Sequence, residues 1–160
     1  EYKGRRFLII DAPTDRNLQL YLKEFRKYNV THLVRACKPS YDTAPVVAQG
    51  VEVHVVWFWV AHLVEGVWLN STTCVVLSCA QELAFTDGDP PPQHILTSWL
   101  QLCDSLFTPK KASDSESKAP PSIAVHCVAG LGRAPVLVAV ALIEAGMSPL
   151  EAVNFVRSHR

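Results

Sequence analysis

The sequence predicts an α/β fold in which a mostly parallel central sheet is flanked by helices. Short apolar runs of strand length alternate along the chain with longer segments whose apolar residues recur at helical spacing. In addition, an apolar run at 122–125 leads through a glycine-containing loop into a helical stretch at 134–145. This alternation is typical of parallel α/β proteins, in which ligands bind at the carboxyl ends of the strands.

Four strands and four helices account for the pattern. Strands are predicted at 6–10, 31–37, 50–54 and 123–126. Helices are predicted from a cap at Thr14 or Asp15 to Tyr28, at 93–107, at 134–145 and from Ser148 onward. At the last helix, Pro149 takes the first helical position and Glu151 completes a capping box with Ser148. The polar stretch 108–121 is expected to be a solvated loop.

Composition narrows the class of protein. The 160 residues suggest one domain with a sizeable core, and the formal net charge of zero argues against a nucleic-acid partner. Five cysteines without paired spacing predict neither a disulfide framework nor a zinc site, so we expect no metal and no cofactor. No secretory leader is present, which predicts a cytoplasmic protein. A start without Met and an end inside a helical pattern suggest a C-terminally truncated fragment.

A ten-residue run, HCVAGLGRAP, contains the residues that are most informative about function. Its cysteine, Cys127, lies six positions before Arg133, with Gly130 and Gly132 between them. A loop of this kind between a strand and a helix directs backbone N–H groups inward, and the helix N-terminus adds partial positive charge. The guanidinium of Arg133 matches two oxygens of a phosphate. The run therefore predicts an anion-binding loop, formed by Val128, Ala129, Gly130, Leu131, Gly132 and Arg133.

A thiol at the base of such a loop suggests nucleophilic chemistry on phosphorus. Helix N-termini and nearby cations favour the thiolate, which is the nucleophilic form of cysteine. His126 precedes the thiol and is expected to orient it or bias its ionisation. The alternative is a buried structural cysteine at a strand end. The spacing from Cys127 to Arg133, the glycines and the strand–helix context favour the anion loop.

The chain resembles the phosphatases of regenerating liver, the type IVA protein tyrosine phosphatases. The resemblance rests on HCVAGLGRAP, on YKGRRFLII at 2–10, on VRAC at 34–37, on YDT at 41–43, on FTDGDPP at 85–91 and on the helices from Pro135 to Arg157. It covers 1–54 and 82–160. It implies a cysteine-phosphatase-like fold and hydrolysis of phosphate monoesters on phosphoproteins, with phosphotyrosine favoured, through a phosphocysteine intermediate.

The resemblance also implies roles by matching position. Cys127 corresponds to the nucleophile, Arg133 to the phosphate clamp and Asp87 to the general acid and base. Asp89 is the local competitor for the acid, and Asp87 is preferred because it precedes the glycine, as the acid of the family does. Cys37 corresponds to a cysteine that forms a reversible disulfide with the nucleophile. The residue type alone suggests instead a small buried apolar residue.

Ala134 is informative because many cysteine phosphatases have Ser or Thr at the position after the arginine. Without that hydroxyl we expect a long-lived phosphocysteine and slow turnover. The alternative to an active phosphatase is a binding module whose catalytic machinery is nearly idle. The resemblance implies this alternative because members of the family bind CBS-domain magnesium transporters through the face around the active site. Family members reach the plasma membrane and endosomes through a prenylated C-terminal cysteine, which the given sequence does not contain.

Residues 55–81 have no counterpart in the family. This apolar segment holds three of the four tryptophans and a single charge, Glu65. A transmembrane span is not expected, because it would place Asp87 and Cys127 across a bilayer from the first three strands. A surface excursion is one alternative. We hypothesise instead a retained intron or gene-model artefact within a single domain of 1–160, because Val at the start and Gln at the end fit GT and CAG codons.

Overall fold

The structure is a computed structural model that describes residues 1–55, 85, 87–108 and 119–159. A four-stranded parallel sheet forms the centre of this described part. The strands are β1 (Phe7–Ile10), β2 (Val30–Arg35), β3 (Glu52–Val55) and β4 (Ser122–His126). Their order across the sheet is β1-β4-β2-β3, and all three pairings are parallel. The predicted α/β class with a mostly parallel sheet is confirmed.

Strand β4 lies at the centre, and all five of its residues are buried. A strand covered on both faces is expected to be apolar throughout, as this one is apart from its two ends. Its side chains alternate between two cores: Ile123 and Val125 join one cluster of buried residues, and Ala124 joins the other.

Within the described part of the chain, five helices cover the sheet. They are α1 (Leu18–Lys27), α2 (Ala44–Val47), α3 (Gln93–Phe107), α4 (Arg133–Glu144) and α5 (Pro149–Ser158). Leu22 and Phe25 of α1 pack with Val46 of α2 in the core that holds Ala124. Helices α3, α4 and α5 contribute to the opposite core, where the indole N–H of Trp99 donates a 2.7 Å hydrogen bond to the carbonyl of Leu137. The flanking helices hold β4 between two layers.

The sequence predicted the helices at 93–107 and after Ser148 correctly. At α5 both halves of the capping box are present, and Pro149 takes the first helical position. The cap predicted for α1 at Thr14 or Asp15 is wrong, because Asn17 occupies the N-cap position. The amide and hydroxyl of Thr14 donate instead to the Asn17 side chain, and the Asp15 carboxylate accepts from the amide of Asp42. The short helix α2 was not predicted.

Two sequence predictions fall largely outside the described residues. The apolar segment 55–81 is described only at Val55, and the polar loop 108–121 only at its ends. Within the described ranges, none of the helices is long and apolar enough to cross a membrane.

The register brings the carboxyl ends of three strands together. Ile10 of β1 and Arg35 of β2 both lie opposite His126, the last residue of β4. The segments that follow these strands therefore meet at one edge of the sheet, where Cys127 begins the loop to α4. This is the edge at which parallel α/β sheets bind ligands.

Candidate active site

The loop from Cys127 to Gly132 is fixed by the turn that follows β1. The amide of Ala12 donates a 2.9 Å hydrogen bond to the carbonyl of Val128. Gly130 has a φ of +66°, and a Cβ at this position would lie 2.6 Å from the carbonyl oxygen of Ile10. Only glycine accommodates both the left-handed backbone and this close approach. The tight loop that the sequence predicted is therefore present.

Cys127 lies at the base of the loop, with 3% of its surface exposed. Helix α4 begins six residues later at Arg133, and its N-cap residue, Gly132, provides no side-chain capping bond. The amides of the first turn are thus left to bind another acceptor, and the helix dipole favours an anion there. The thiol and the helix N-terminus share one small anion site.

Arg133 is held mostly inside the protein. Its side chain is 12% exposed, and Nη1 donates a long 3.5 Å hydrogen bond to the carbonyl of Phe85. Nε is buried and has no hydrogen-bond partner within the described residues. A buried guanidinium with an unused donor is costly in water-excluded surroundings, so an oxyanion ligand would stabilise it.

Asp87 lies against this loop. A Cβ on Gly132 would overlap the Asp87 carboxylate, and Oδ1 of Asp87 is 4.0 Å from Nε of Arg133. The Asp87 side chain is largely exposed, so it can exchange protons with water. Asp89, the local competitor, is also exposed. The structure places Asp87 directly over the loop.

His126 is fully buried beneath the thiol and bonded at both ring nitrogens. Nε2 is 2.9 Å from the hydroxyl of Tyr41, and Nδ1 is 3.1 Å from the carbonyl of Cys127. The carbonyl can only accept, so Nδ1–H donates to it and Nε2 accepts from Tyr41. Burial, with a smaller contribution from Arg35, lowers the pKa of His126 to about 4. The ring is therefore neutral near pH 7 and orients the start of the loop.

Cys37 belongs to the same site. Its sulfur is 3.7 Å from Nδ1 of His126, and it shares a core cluster with Cys127. Burial raises the pKa of Cys37, Arg133 opposes that rise, and Cys127 adds to it. Both cysteines are free thiols. The second thiol that the sequence singled out is thus electrostatically coupled to the first.

Sequence reasoning missed the supporting roles of Arg35 and Tyr41. Arg35 is buried at the end of β2, and its guanidinium carbon lies 5.7 Å from the centre of the Tyr41 ring. Burial raises the pKa of Tyr41 to about 12, against the influence of Arg35, so its hydroxyl remains a donor to His126. The available signal was a charged residue at the end of an apolar strand.

The fold and the site define a class of protein. A buried thiol, an anion-binding loop that ends in an arginine and a carboxylic acid over that loop form the arrangement of a cysteine-dependent phosphatase. The helix dipole, the arginine and the loop amides together favour a phosphate over the thiol.

Known proteins place the chain within that class. It is 42% identical over 160 residues to the probable protein tyrosine phosphatase type IVA A of Dictyostelium discoideum, covering 100% of this chain and 75% of the relative. It is 40% identical over 159 residues to the protein tyrosine phosphatase type IVA 2 of Mus musculus, covering 99% and 74%. A solved structure, the putative protein tyrosine phosphatase from Leishmania major, matches with a TM-score of 0.68 and 40% identity, covering 96% of this chain and 77% of that chain.

No family model matches the sequence. The relatives nevertheless exceed the level at which a shared family is secure, and they align over nearly the whole chain. The chain belongs to the type IVA protein tyrosine phosphatases, and the resemblance found in the sequence is confirmed.

Proposed function

We propose that the protein hydrolyses phosphate monoesters of phosphoproteins, with phosphotyrosine favoured, through a phosphocysteine intermediate. One observation carries the proposal: Cys127 and Arg133 lie at the two ends of a single loop at the carboxyl end of β4, and Asp87 lies against that loop. Nucleophile, clamp and acid thus surround one position for phosphorus.

In the first step the Cys127 thiolate attacks phosphorus in line with the leaving oxygen. The S–P bond forms as the bond from phosphorus to the leaving oxygen breaks, and Asp87 donates its proton to that oxygen. Arg133 and the amides of the loop hold the three remaining oxygens, where negative charge is spread in the transition state.

In the second step the Asp87 carboxylate accepts a proton from water as the water oxygen attacks phosphorus. The S–P bond breaks, Cys127 leaves as thiolate, and inorganic phosphate is released. Ala134, buried in the first turn of α4, has no hydroxyl to stabilise the departing sulfur. This step is therefore the slow one, and turnover is slow.

Rapid-mixing kinetics with an aryl phosphate under reducing conditions test the mechanism. We expect a burst of about one equivalent of phenolate per site, followed by a slow steady state. Cys127→Ser should give neither phase. Asp87→Asn should slow hydrolysis about 100-fold or more for poor leaving groups, while Asp89→Asn should behave as the parent. Equal effects of the two Asn variants would overturn the assignment of Asp87.

A second function is binding to CBS-domain magnesium transporters, with catalysis nearly idle. The loop favours it because two large apolar side chains, Val128 and Leu131, are 63% and 70% exposed around the phosphate site. Exposed apolar side chains of this kind suit a protein partner. Leu131→Asp should weaken binding to an isolated CBS-domain pair about tenfold or more, with far-ultraviolet circular dichroism showing that the variant is folded. Unchanged affinity would exclude this face.

Regulation by a disulfide between Cys37 and Cys127 completes the proposal. The Cys127 thiolate attacks hydrogen peroxide, forming a sulfenic acid and releasing hydroxide. Cys37 then attacks that sulfur and displaces water, so two thiols are oxidised as one peroxide is reduced. Peroxide treatment should inactivate the enzyme reversibly, and excess peroxide should inactivate Cys37→Ser irreversibly, because its sulfenic acid is oxidised further to the sulfinic acid. Full recovery of activity by reductant in Cys37→Ser after the same excess of peroxide would contradict the pairing, and Cys103→Ser is the matched control.

A further inference from the structure

We propose that His32, Glu52 and His54 form a binding site for a divalent transition metal of the zinc type. The ligand atoms of the three side chains all lie within 4.8 Å of one another. Nε2 of His32 is 3.5 Å from Oε2 of Glu52, and Nε2 of His54 is 3.7 Å from the same oxygen. Two imidazole nitrogens thus converge on one carboxylate.

The parallel pairing of β2 with the edge strand β3 creates this cluster. His32 lies opposite Glu52, and Glu52 and His54 are two residues apart on one strand, so their side chains share a face. The rings of His32 and His54 stack with centroids 5.1 Å apart and planes at 12°. The backbone register holds the three groups together without help from a loop.

Contacts around the two rings leave the Nε2 atoms available. Nδ1 of His32 is 2.8 Å from the hydroxyl oxygen of Thr31, so Nδ1–H can donate to it while the Nε2 lone pair faces the cluster. Nε2 of His54 is buried and lacks a hydrogen-bond partner within the described residues. A metal at the centre of the cluster would satisfy that atom.

The spacing and donor types suit zinc. Zinc bonds to nitrogen and oxygen are about 2.0–2.2 Å long, so tetrahedral ligand atoms lie roughly 3.3–3.5 Å apart. The carboxylate already meets this spacing closely, and the Glu52 side chain is 71% exposed and free to adjust. Because the two rings are stacked, one of them must turn about its Cβ–Cγ bond so that both in-plane lone pairs reach the ion. Imidazole donors favour zinc-like ions over magnesium and calcium, which prefer oxygen. Three ligands leave a fourth position for water.

The site is separate from the phosphate loop. His32 lies opposite Ile123, four residues before Cys127 on the adjoining strand, which corresponds to about 13 Å along the sheet. A bound metal would cross-link the edge strand β3 to β2, and binding to the folded state alone would raise the melting temperature.

Cobalt titration of the full chain under a non-thiol reductant tests the site. In the Cys127→Ser background we expect one equivalent of Co²⁺ to give visible d–d bands without thiolate charge-transfer absorption, and Zn²⁺ to displace it. Glu52→Gln, His32→Ala and His54→Ala should each weaken binding roughly tenfold or more. His159→Ala removes an exposed histidine far along the chain and should bind as the parent does.

Three outcomes would overturn the proposal: no Co²⁺ binding below about 100 µM, thiolate charge-transfer absorption from the bound ion, or unchanged affinity in Glu52→Gln. The Gln variant keeps the test sharp if a histidine variant unfolds, because it changes an exposed side chain and preserves its shape. Retained binding in that variant would show an adventitious ion only.

Discussion

Ala134 is the residue at which a single hydroxyl should change the kinetics. It is fully buried, directly after Arg133 in the first turn of α4. In Ala134→Ser the new hydroxyl would donate to the departing thiolate, and a hydrogen bond to a charged group stabilises by about 1.5–3 kcal/mol. We expect phosphocysteine hydrolysis to accelerate about tenfold or more and the burst to shrink, with the first step unchanged.

Stopped-flow measurement with an aryl phosphate separates the two steps. Ala141→Ser is the matched control, because it adds the same hydroxyl to a fully buried position two turns further along α4. The control should leave both rates close to those of the parent, or lower them through a loss of stability. An unchanged second step in Ala134→Ser would mean that the missing hydroxyl does not limit turnover.

The position of Asp87 requires glycine at 132. The φ of Gly132 is negative, at −109°, but a Cβ would overlap the Asp87 carboxylate. We expect Gly132→Ala to displace the acid and slow hydrolysis of esters with poor leaving groups about 100-fold, with little effect on highly activated ones. Rates across a series of leaving groups measure this difference.

A double variant shows whether the effect acts through Asp87. If Gly132→Ala acts only by displacing the acid, adding it to Asp87→Asn should cost little more. Multiplicative losses in the double variant would instead indicate that the methyl group distorts the phosphate loop.

At the scale of elements, the contact of β4 with the loop after β2 makes stability depend on pH. The pKa of His126 is about 4 in the folded protein, against 6.5 in an unfolded chain. Between these values the unfolded state binds more protons, so the free energy of unfolding decreases as pH falls from about 6.5 towards 4. The contribution of His126 should drop by about 2 kcal/mol between pH 7 and pH 5.

Urea unfolding at pH 7 and pH 5 checks this, with the pH-dependent difference as the readout. His126→Gln should be less stable at pH 7, since it loses the fitted ring, but should show a smaller loss on acidification than the parent. His159→Gln replaces an exposed histidine and should retain the loss shown by the parent. An identical pH dependence in all three proteins would assign it to other groups.

Local signals predicted the elements that local interactions determine. The capping box of Ser148 and the glycine loop after β4 each depend on residues that are close together in the sequence, and both are present in the structure. The prediction for the cap of α1 was wrong because Thr14 and Asn17 both have side chains that can cap a helix. The contact between them determines where the helix starts. When two neighbouring residues are equally able to cap a helix, the sequence alone does not indicate which of them will do so.

Contacts between distant strands could not be predicted in the same way. No metal site was predicted because the five cysteines lack paired spacing, yet strand pairing brings His32 beside Glu52. Similarly, Arg35 and Tyr41 join His126 only through the pairing of β2 with β4. The placement of Cys37 near Cys127 followed from family resemblance, since their separation along the chain indicates nothing about distance.

At the scale of the whole molecule, deleting 55–81 tests whether that segment belongs to the protein. The deletion joins His54 to Glu82, which gives the spacing between β3 and Asp87 that the family resemblance implies. The segment contains none of the proposed catalytic residues, although Val55, opposite Arg35 at the end of β3, is lost. If the segment is a retained intron, the deleted chain should hydrolyse an aryl phosphate at least tenfold faster than the chain as given.

Cys127→Ser in each background provides the blank, and far-ultraviolet circular dichroism shows whether each chain is folded. Because 55–81 contains no Lys or Arg, trypsin cannot release a peptide from within it, so chymotryptic digestion of the native protein is the independent check. A chymotryptic peptide from this segment, together with a folded but inactive deleted chain, would contradict the intron hypothesis. The segment would then be a genuine part of the path from β3 to Asp87, and acid catalysis would depend on it.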